Sequence, residues 1–222
     1  MKNFIIAAFI VLNLNTALAD SNLKTYLKGG IGFNYIRDNK FSNHDLIGKM
    51  RLADHFPLIE VGVGTYLTDD IRADLVVDYY FVFKINEKST SKLDDKYDID
   101  SKTKIDTLML NVYKDVASYG KTTHYVSAGI GYSRVKEVFK GKMIDINDNE
   151  FIFNKSTKIY NKFAYKLATG LDVKLNDTMK IDISYNYFNL GNNKTKLLGG
   201  VKNIGHRTYA IHNITFGMRF NV

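Results

Sequence analysis

A ten-residue stretch of strictly alternating character, Met179–Phe188, constrains the fold of this chain most strongly. Its odd positions are apolar or aromatic: Met179, Ile181, Ile183, Tyr185 and Tyr187. Its even positions up to Asn186 are hydrophilic: Lys180, Asp182, Ser184 and Asn186. Because successive side chains of a β-strand point to opposite faces, the stretch predicts a strand with one apolar and one polar face. Strands of soluble proteins share this pattern, so the remaining strands must decide where the apolar face lies.

The first nineteen residues have the composition of a secretory signal peptide. A basic start at Lys2 precedes an apolar run from Phe4 to Leu14, and small residues stand at Ala17 and Ala19. This pattern predicts cleavage after residue 19, and the run is too short for a membrane-spanning helix. The chain has no cysteine, which excludes a lipoprotein anchor and a disulfide framework. Residues 20–222 are then expected to form a single domain.

The same alternation recurs in seven further segments. The predicted strands cover about 25–36, 57–67, 71–85, 104–113, 123–135, 163–175, 179–188 and 208–220. Long links of about 37–55, 86–103, 136–162 and 190–207 follow the odd-numbered strands, and short links follow strands two, four and six. Alternating long and short links between two-faced strands are typical of outer-membrane barrels. The prediction is an all-β fold, an eight-stranded antiparallel transmembrane up-and-down barrel with four extracellular loops.

Eight charged residues decide which face of the barrel points outward. They lie opposite the apolar row in the predicted strands: Lys28, Glu60, Arg72, Asp74, Asp78, Lys180, Asp182 and Arg219. A soluble barrel would keep its outer face polar, and eight strands leave little interior room for large side chains. A Lys or Arg on the lipid face near the midplane costs about 2–4 kcal/mol. The charged face is therefore predicted to line the lumen, and the apolar face to contact lipid.

The lumen charges have two interpretations. Because an isolated buried ion is costly, charges on an inner wall must pair or meet water. They can fill the lumen as a network of salt bridges, or they can line a gated pathway for small ions. A general porin is not expected, since the interior of eight strands is scarcely wider than its own side chains.

No pattern of catalytic or cofactor-binding residues stands out. The five histidines lack partners at metal-ligand spacing. The glycines of residues 29–32 lie within a predicted strand and are not followed by the helix that a phosphate-binding glycine loop requires. No G-x-S-x-G nucleophile motif occurs. We therefore expect no enzymatic activity, metal or cofactor. The net charge is +8, or +7 once Lys2 is removed with the signal peptide. An exported chain rarely meets nucleic acid, so lipopolysaccharide or host glycans are the more natural anionic partners.

Two loop segments are candidates for ligand contact. The fourth loop, 190–207, contains no acid and carries Lys194, Lys196, Lys202 and Arg207. Such a basic rim could attract polyanions, or it could be a solvated loop without a dedicated ligand. The apolar stretch Phe151–Phe153 is either a contact patch in the third loop or an extension of the adjacent hairpin.

Several pieces of the sequence resemble a known family. These pieces are 62–66 with 71–75, then 165–170, and the C-terminal 212–222. On these residues the chain resembles the small opacity-like outer-membrane β-barrel family, and within it the rickettsial surface adhesins. The resemblance implies insertion by the barrel-assembly machinery, display at the bacterial cell surface, and binding of host-cell or serum proteins through the loops. The alternative is a structural or narrow-channel barrel without a protein ligand. One departure from the family is the end of the chain: many such barrels end on an aromatic residue, whereas here Asn221 and Val222 follow Phe220.

Overall fold

Nine β-strands account for nearly all of the residues that the structure, a computed structural model, describes. The described residues are 24–36, 46–47, 56–91, 96–144, 150–194 and 206–222. The strands are β1 (Thr25–Ile36), β2 (Leu46–Ile47), β3 (Phe56–Tyr66), β4 (Ile71–Ser91), β5 (Lys96–Tyr119), β6 (Thr122–Ile144), β7 (Glu150–Lys174), β8 (Met179–Lys194) and β9 (His206–Asn221). The predicted signal peptide, 1–19, lies outside the described residues.

The sheet closes on itself. Every strand pairing is antiparallel, and β4 pairs with both β3 and β5, so eight strands form a complete ring in which β1 lies between β3 and β9. The predicted eight-stranded up-and-down barrel is confirmed. The sequence pattern missed only β2, which has two residues and pairs with the end of β4. Across the described ranges, no helix is long and apolar enough to span a membrane.

Short turns connect the strands at one end of the barrel. Residues 67–70, 120–121 and 175–178 join successive strands there. Gly120 takes a positive φ of 58°, as a two-residue hairpin turn requires. The Thr68 hydroxyl accepts a hydrogen bond from the Ile71 N–H at 3.0 Å, and the Asn176 side-chain oxygen accepts one from the Met179 N–H at 2.8 Å. These polar side chains satisfy backbone donors that the ends of the ladder leave free.

The outer face of the barrel is apolar. Leucine, isoleucine, valine, phenylalanine and tyrosine side chains point away from the barrel with exposed fractions near one half, among them Ile31, Leu110, Ile130, Leu167, Ile183 and Phe216. The alternate residues of the same strands are buried in the lumen and include the predicted acids and arginines. The orientation expected from the alternation is therefore confirmed. A continuous apolar band around a closed cylinder is the surface that a lipid bilayer covers.

Two predicted loops are largely strand. β4 continues to Ser91 and β5 begins at Lys96. Likewise, β6 continues to Ile144 and β7 begins at Glu150. The loop assignments 86–103 and 136–162 were therefore wrong for most of their length. Their charged composition suggested solvated loops, but two polar strands that pair with each other satisfy their backbone groups without an apolar face. Of the loops 37–55 and 190–207, the structure describes only β2, the end of β8 and the start of β9.

Candidate functional site

Ionised side chains from four strands meet in the lumen near the short-turn end. Asp172 of β7 lies between two guanidinium groups: Arg72 Nη2 is 3.2 Å from Asp172 Oδ2, and Arg219 also donates to that oxygen. Arg72 Nη1 donates in addition to Asp115 Oδ1 at 2.5 Å. The side chains of Arg72, Asp172 and Arg219 are all less than 5% exposed. Two arginines that share one buried carboxylate fix the relative positions of β4, β7 and β9.

Tyrosine rings cover these guanidinium groups. The Arg72 guanidinium carbon lies 4.5 Å from the Tyr113 ring centroid and 4.6 Å from that of Tyr125. The Arg219 guanidinium carbon lies 5.1 Å from the Tyr26 ring and 5.9 Å from the Tyr66 ring. A cation over an aromatic face is attracted by the ring quadrupole, more strongly where water is excluded. The rings thus stabilise the arginines while they fill the space around them.

A second group of charges lies further along the lumen. Lys28 Nζ is 3.1 Å from Glu60 Oε1, and both side chains are less than 10% exposed. Three further buried carboxylates accept hydrogen bonds from neutral donors. Tyr26 and Asn111 donate to Asp74 at 3.4 and 2.7 Å, Thr107 donates to Asp78 at 2.7 Å, and Tyr125 donates to Asp182 at 2.5 Å. Hydrogen bonding of this kind is what makes a buried carboxylate tolerable.

All eight predicted lumen residues point inward. Lys28, Glu60, Arg72, Asp74, Asp78, Asp182 and Arg219 are buried, and Lys180 is half-buried with its ammonium 5.6 Å from the Tyr66 ring centroid. The predicted set of lumen charges omitted further residues that the structure places there, among them Asp115, Glu137, Lys166 and Asp172. For Lys166 and Asp172, the alternation had already indicated the polar face of the predicted strand 163–175, although the set did not include them.

The other two missed charges have structural explanations. Asp115 lies just before a register shift between Asp115 and Ala117, in a strand that was predicted to end at Tyr113. A β-bulge of this kind interrupts the alternation that the prediction relied on. Glu137 belongs to a segment predicted as loop, yet it is fully buried on the inner face of β6.

Inward-facing glycines make room for the lumen tyrosines. A Cβ atom placed on Gly170 would lie 2.5 Å from the Tyr125 hydroxyl, and one placed on Gly64 would meet the ring of Tyr26. Real Cβ atoms do not approach other atoms this closely. Glycine on the inner wall of β3 and β7 therefore allows each ring to lie across the adjacent strand and reach Asp74 or Asp182 on the strand beyond it.

Replacing Gly170 by valine is expected to displace Tyr125 from its hydrogen bond with Asp182 and to crowd the Ile183 carbonyl oxygen, which would lie 2.8 Å from the new Cβ atom. Overpacking of a filled interior costs about 1–3 kcal/mol, so the denaturant midpoint of the refolded barrel in lipid vesicles should fall accordingly. Gly29→Val is the matched control, because a Cβ atom at Gly29 meets nothing within 4 Å. Equal losses in both variants would show that the valine side chain disturbs the strand itself rather than the packing of Tyr125.

An apolar cluster fills the lumen beyond the charges, toward the long-loop end. Its members are Phe56, Leu58, Tyr80, Ile105, Met109, Val135, Ala164, Phe188, Leu190 and Ile211. The rings of Tyr80 and Phe188 pack edge to face at 6.1 Å between centroids, and Phe56 lies 6.2 Å from Tyr80. The sequence analysis did not predict this apolar layer within the lumen. A packed apolar layer excludes water and ions, which favours a filled lumen over an ion pathway.

The fourth-loop residues are only partly placed. Lys194 ends β8 opposite His206, and Arg207 pairs with Asn193 through the backbone, while Lys196 and Lys202 lie outside the described residues. For the apolar stretch Phe151–Phe153, the structure favours the hairpin extension. Phe151 and Phe153 pair with Met143 and Gly141 of β6 through the backbone, and the Ile152 side chain is 77% exposed.

The closed barrel, its apolar outer band and its filled lumen are matched by a protein family. The sequence matches the family described as "Outer membrane protein beta-barrel domain" over residues 4–220. The chain belongs to this family. It is an outer-membrane protein, and its long-loop end is exposed at the cell surface, since barrels of this type place short turns in the periplasm and long loops outside.

Similar proteins include rickettsial relatives and outer-membrane barrels of known structure. A "Putative adhesin" of Rickettsia bellii (strain RML369-C) is 28% identical over 235 residues, covering 100% of this chain and 99% of the relative. Another from Rickettsia conorii is 28% identical, covering 90% of this chain and 77% of the relative. OprG of Pseudomonas aeruginosa matches with a TM-score of 0.54 at 14% identity, covering 90% of this chain and 96% of OprG. The Escherichia coli outer-membrane protease OmpT matches with a TM-score of 0.51 at 10% identity, covering 90% of this chain and 97% of OmpT. The two structural similarities concern the fold alone.

Proposed function

We propose that this barrel is a surface adhesin that binds host-cell or serum proteins through its extracellular hairpins and loops, and that it has no catalytic role. Support comes from the relatives named as adhesins, which extend over nearly the whole chain. The structural observation that carries the proposal is the height of one side of the barrel wall. A spanning β-strand needs about 9–11 residues, whereas β5, β6 and β7 have 24, 23 and 25.

The tall strands form a platform above the membrane. The ladder between β5 and β6 begins at its outer end with Lys96 opposite Ile144. The ladder between β6 and β7 begins with Ile144 opposite Glu150. Each ladder contains one register shift and otherwise continues without a break into the membrane. β1 and β3, across the barrel, have only 12 and 11 residues. A backbone-paired hairpin loses little conformational entropy when a partner binds it. The filled lumen below supports the platform rigidly, which favours a binding function over transport.

Further partners follow from the location. The barrel contacts outer-membrane lipid, and we propose contact with lipopolysaccharide and insertion by the barrel-assembly machinery. The basic residues of the fourth loop, Lys194, Lys196, Lys202 and Arg207, would add attraction for polyanions such as host heparan sulfate.

The test of adhesion is a shortened hairpin. Residues 139–156 are replaced by Asn-Gly, which joins Val138 to its cross-strand partner Thr157 with a two-residue turn. Attachment of bacteria that display this variant to host cells should fall at least tenfold, toward that of bacteria without the protein. A second variant, K194S/K196S/K202S/R207S, isolates the contribution of the fourth loop. Asp177→Ser in a periplasmic turn is the control and should attach like the native protein.

Two outcomes separate adhesion from the alternative of a structural barrel. Pull-down of host surface and serum proteins on the refolded native barrel should recover a partner that the shortened variant does not bind. If the shortened hairpin and the fourth-loop variant both reach the outer membrane at native levels and both attach like the native protein, the adhesion proposal fails.

A further inference from the structure

Four basic residues form a patch on the outer face of β5 and β6, just above the apolar band. We call Lys102, Lys104, Arg134 and Lys136 the outer basic patch. In the cross-strand register, Leu108 lies opposite Tyr132 at the edge of the band. The next outward-facing pair is Asp106 with Arg134, and the pair after that is Lys104 with Lys136. Lys102, Arg134 and Lys136 are exposed, and Lys104 is one-third exposed.

The patch contains uncompensated positive charge. Lys104 and Lys136 are directly opposite each other in the ladder, an arrangement in which like charges destabilise a sheet. Where the side chains are described, the acid beside the patch is Asp106, which is opposite Arg134 in the ladder and lies 3.6 Å from Lys104. The Lys104 ammonium also lies 4.6 Å from the Tyr79 ring centroid. Among the side chains that the structure describes, Lys102, Arg134 and Lys136 have no carboxylate within ion-pair distance. Such a patch is complementary to a multivalent anion.

The periplasmic end of the same wall differs. There two exposed lysines have acidic partners: Lys114 forms an ion pair with Asp70, and Lys174 lies 2.7 Å from Asp177. Among the described basic residues on the outer face of this wall, three without an acidic partner lie at the outer rim of the band, and one, Lys121, lies at the periplasmic end. Only the outer leaflet of this membrane places its lipid headgroups against that rim.

The depth of the patch also fits lipid headgroups. A strand rises about 3.3 Å per residue, and barrel strands tilt by about 40°. The Asp106–Arg134 and Lys104–Lys136 pairs therefore lie about 10 and 15 Å above Leu110, which is halfway between Asp106 and Lys114 on the outer face of β5. The hydrocarbon core extends about 15 Å to each side of its midplane, and the headgroup region about 5–8 Å beyond that. Lys104 and Lys136 therefore lie where the headgroups begin, and the long side chain of Arg134 can reach up to them.

We propose that the outer basic patch binds the phosphate groups of lipopolysaccharide in the outer leaflet. Lys and Arg form charge-assisted hydrogen bonds with phosphate oxygens, and a phosphate between Lys104 and Lys136 would turn their repulsion into attraction to a shared anion. The inference rests on the lipopolysaccharide contact proposed above and gives that contact a site. It is independent of adhesion, because the patch lies at membrane level rather than at the hairpin tips.

Binding of fluorescent lipopolysaccharide to the refolded barrel in neutral detergent micelles, followed by anisotropy, tests the site. The variant K102Q/R134Q/K136Q removes three positive charges, and its Kd should rise at least about tenfold, since each basic residue near an anionic surface contributes about 1 kcal/mol. The control K114Q/K121Q/K174Q makes the same change in net charge at the periplasmic end and should bind like the native protein. Lipopolysaccharide stripped of its phosphates should bind the native barrel as weakly as intact lipopolysaccharide binds the patch variant.

Each other result overturns a defined part of the inference. If the patch variant binds with native Kd while the native barrel prefers phosphorylated lipopolysaccharide, lipopolysaccharide is a partner but the patch is not its site. If the control variant loses as much affinity as the patch variant, binding reflects net charge alone. If the native barrel does not distinguish intact from dephosphorylated lipopolysaccharide, the phosphate contact is wrong, whatever the host-cell attachment assay shows.

Discussion

Replacing Asp172 by alanine is expected to lower the free energy of unfolding by about 3–5 kcal/mol, the usual cost of removing one partner from a buried ion pair. Asp172 is 1% exposed, and both Arg72 and Arg219 contact its Oδ2 atom. Arg72 keeps Asp115 as a partner, but among the described residues Arg219 has no other carboxylate in contact. The variant therefore leaves a buried guanidinium without its carboxylate, and its remaining contacts among the described residues include the rings of Tyr26 and Tyr66.

The measurement is urea unfolding of the barrel refolded into lipid vesicles, with two matched variants. Asp177→Ala removes a fully exposed partner of Lys174. It should leave the urea midpoint unchanged within experimental error, because exposed ion pairs contribute little to stability. The double variant Asp172→Ala with Arg219→Met removes both partners and should recover much of the lost stability. A loss below about 1 kcal/mol in Asp172→Ala would mean that water reaches and solvates the arginines, contrary to a dry network.

The barrel itself could be predicted because its signals are local. The alternation in each strand and the contrast between long and short links are properties of successive residues, and neither needs knowledge of which strands meet. Charges that were predicted on the inner face are on the inner face, as Arg72 and Asp182 illustrate. One physical fact supports all of this, namely that hydrocarbon does not tolerate ions or unpaired backbone groups.

The partners inside the lumen could not be predicted in the same way. Arg72, Asp172 and Arg219 lie on three different strands, and Asp172 and Arg219 are 47 positions apart in the sequence. Which of the inward residues share a height depends on the stagger of every ladder around the ring, down to the pairing of β1 with β9. The alternation shows which face of the strand a residue lies on, but it does not show how high along the barrel axis the residue lies. It therefore predicts which charges lie in the lumen and does not predict which of them are in contact.

The outer parts of the wall were misread for a different reason. Composition identified 136–162 as a loop, yet Glu137 is fully buried and Val135 belongs to the apolar cluster below it. Above the membrane both faces of a strand can be polar, so the two-faced pattern disappears while the pairing of the backbone continues. A hairpin outside the lipid thus resembles a loop in sequence, and only its ladder with the neighbouring strands distinguishes the two.

Leu110→Arg is expected to destabilise the barrel by about 2–4 kcal/mol in a lipid bilayer, because the side chain lies near the middle of the apolar band. On the outer face of β5, Asp106 and Lys114 mark the two edges of the band, and Leu110 stands halfway between them. Its side chain is 52% exposed and lies in register with Leu75 of β4 and Ile130 of β6. A guanidinium at this depth has lipid on one side and aliphatic side chains on the other.

Val116→Arg supplies the depth control on the same strand. Val116 is 50% exposed and lies beyond Lys114 on the periplasmic side, where an outward-facing arginine costs about 0–1 kcal/mol. Unfolding by denaturant from vesicles of one lipid composition should therefore separate the two variants by at least about 1 kcal/mol. Equal destabilisation by the two substitutions would contradict a membrane-spanning band centred on Leu110. If Leu110→Arg did not lower the free energy of unfolding, this face of the barrel would be in contact with water. In either case the hairpins of β5, β6 and β7 would not be raised above a membrane, and both the adhesion proposal and the lipopolysaccharide site would lose their physical basis.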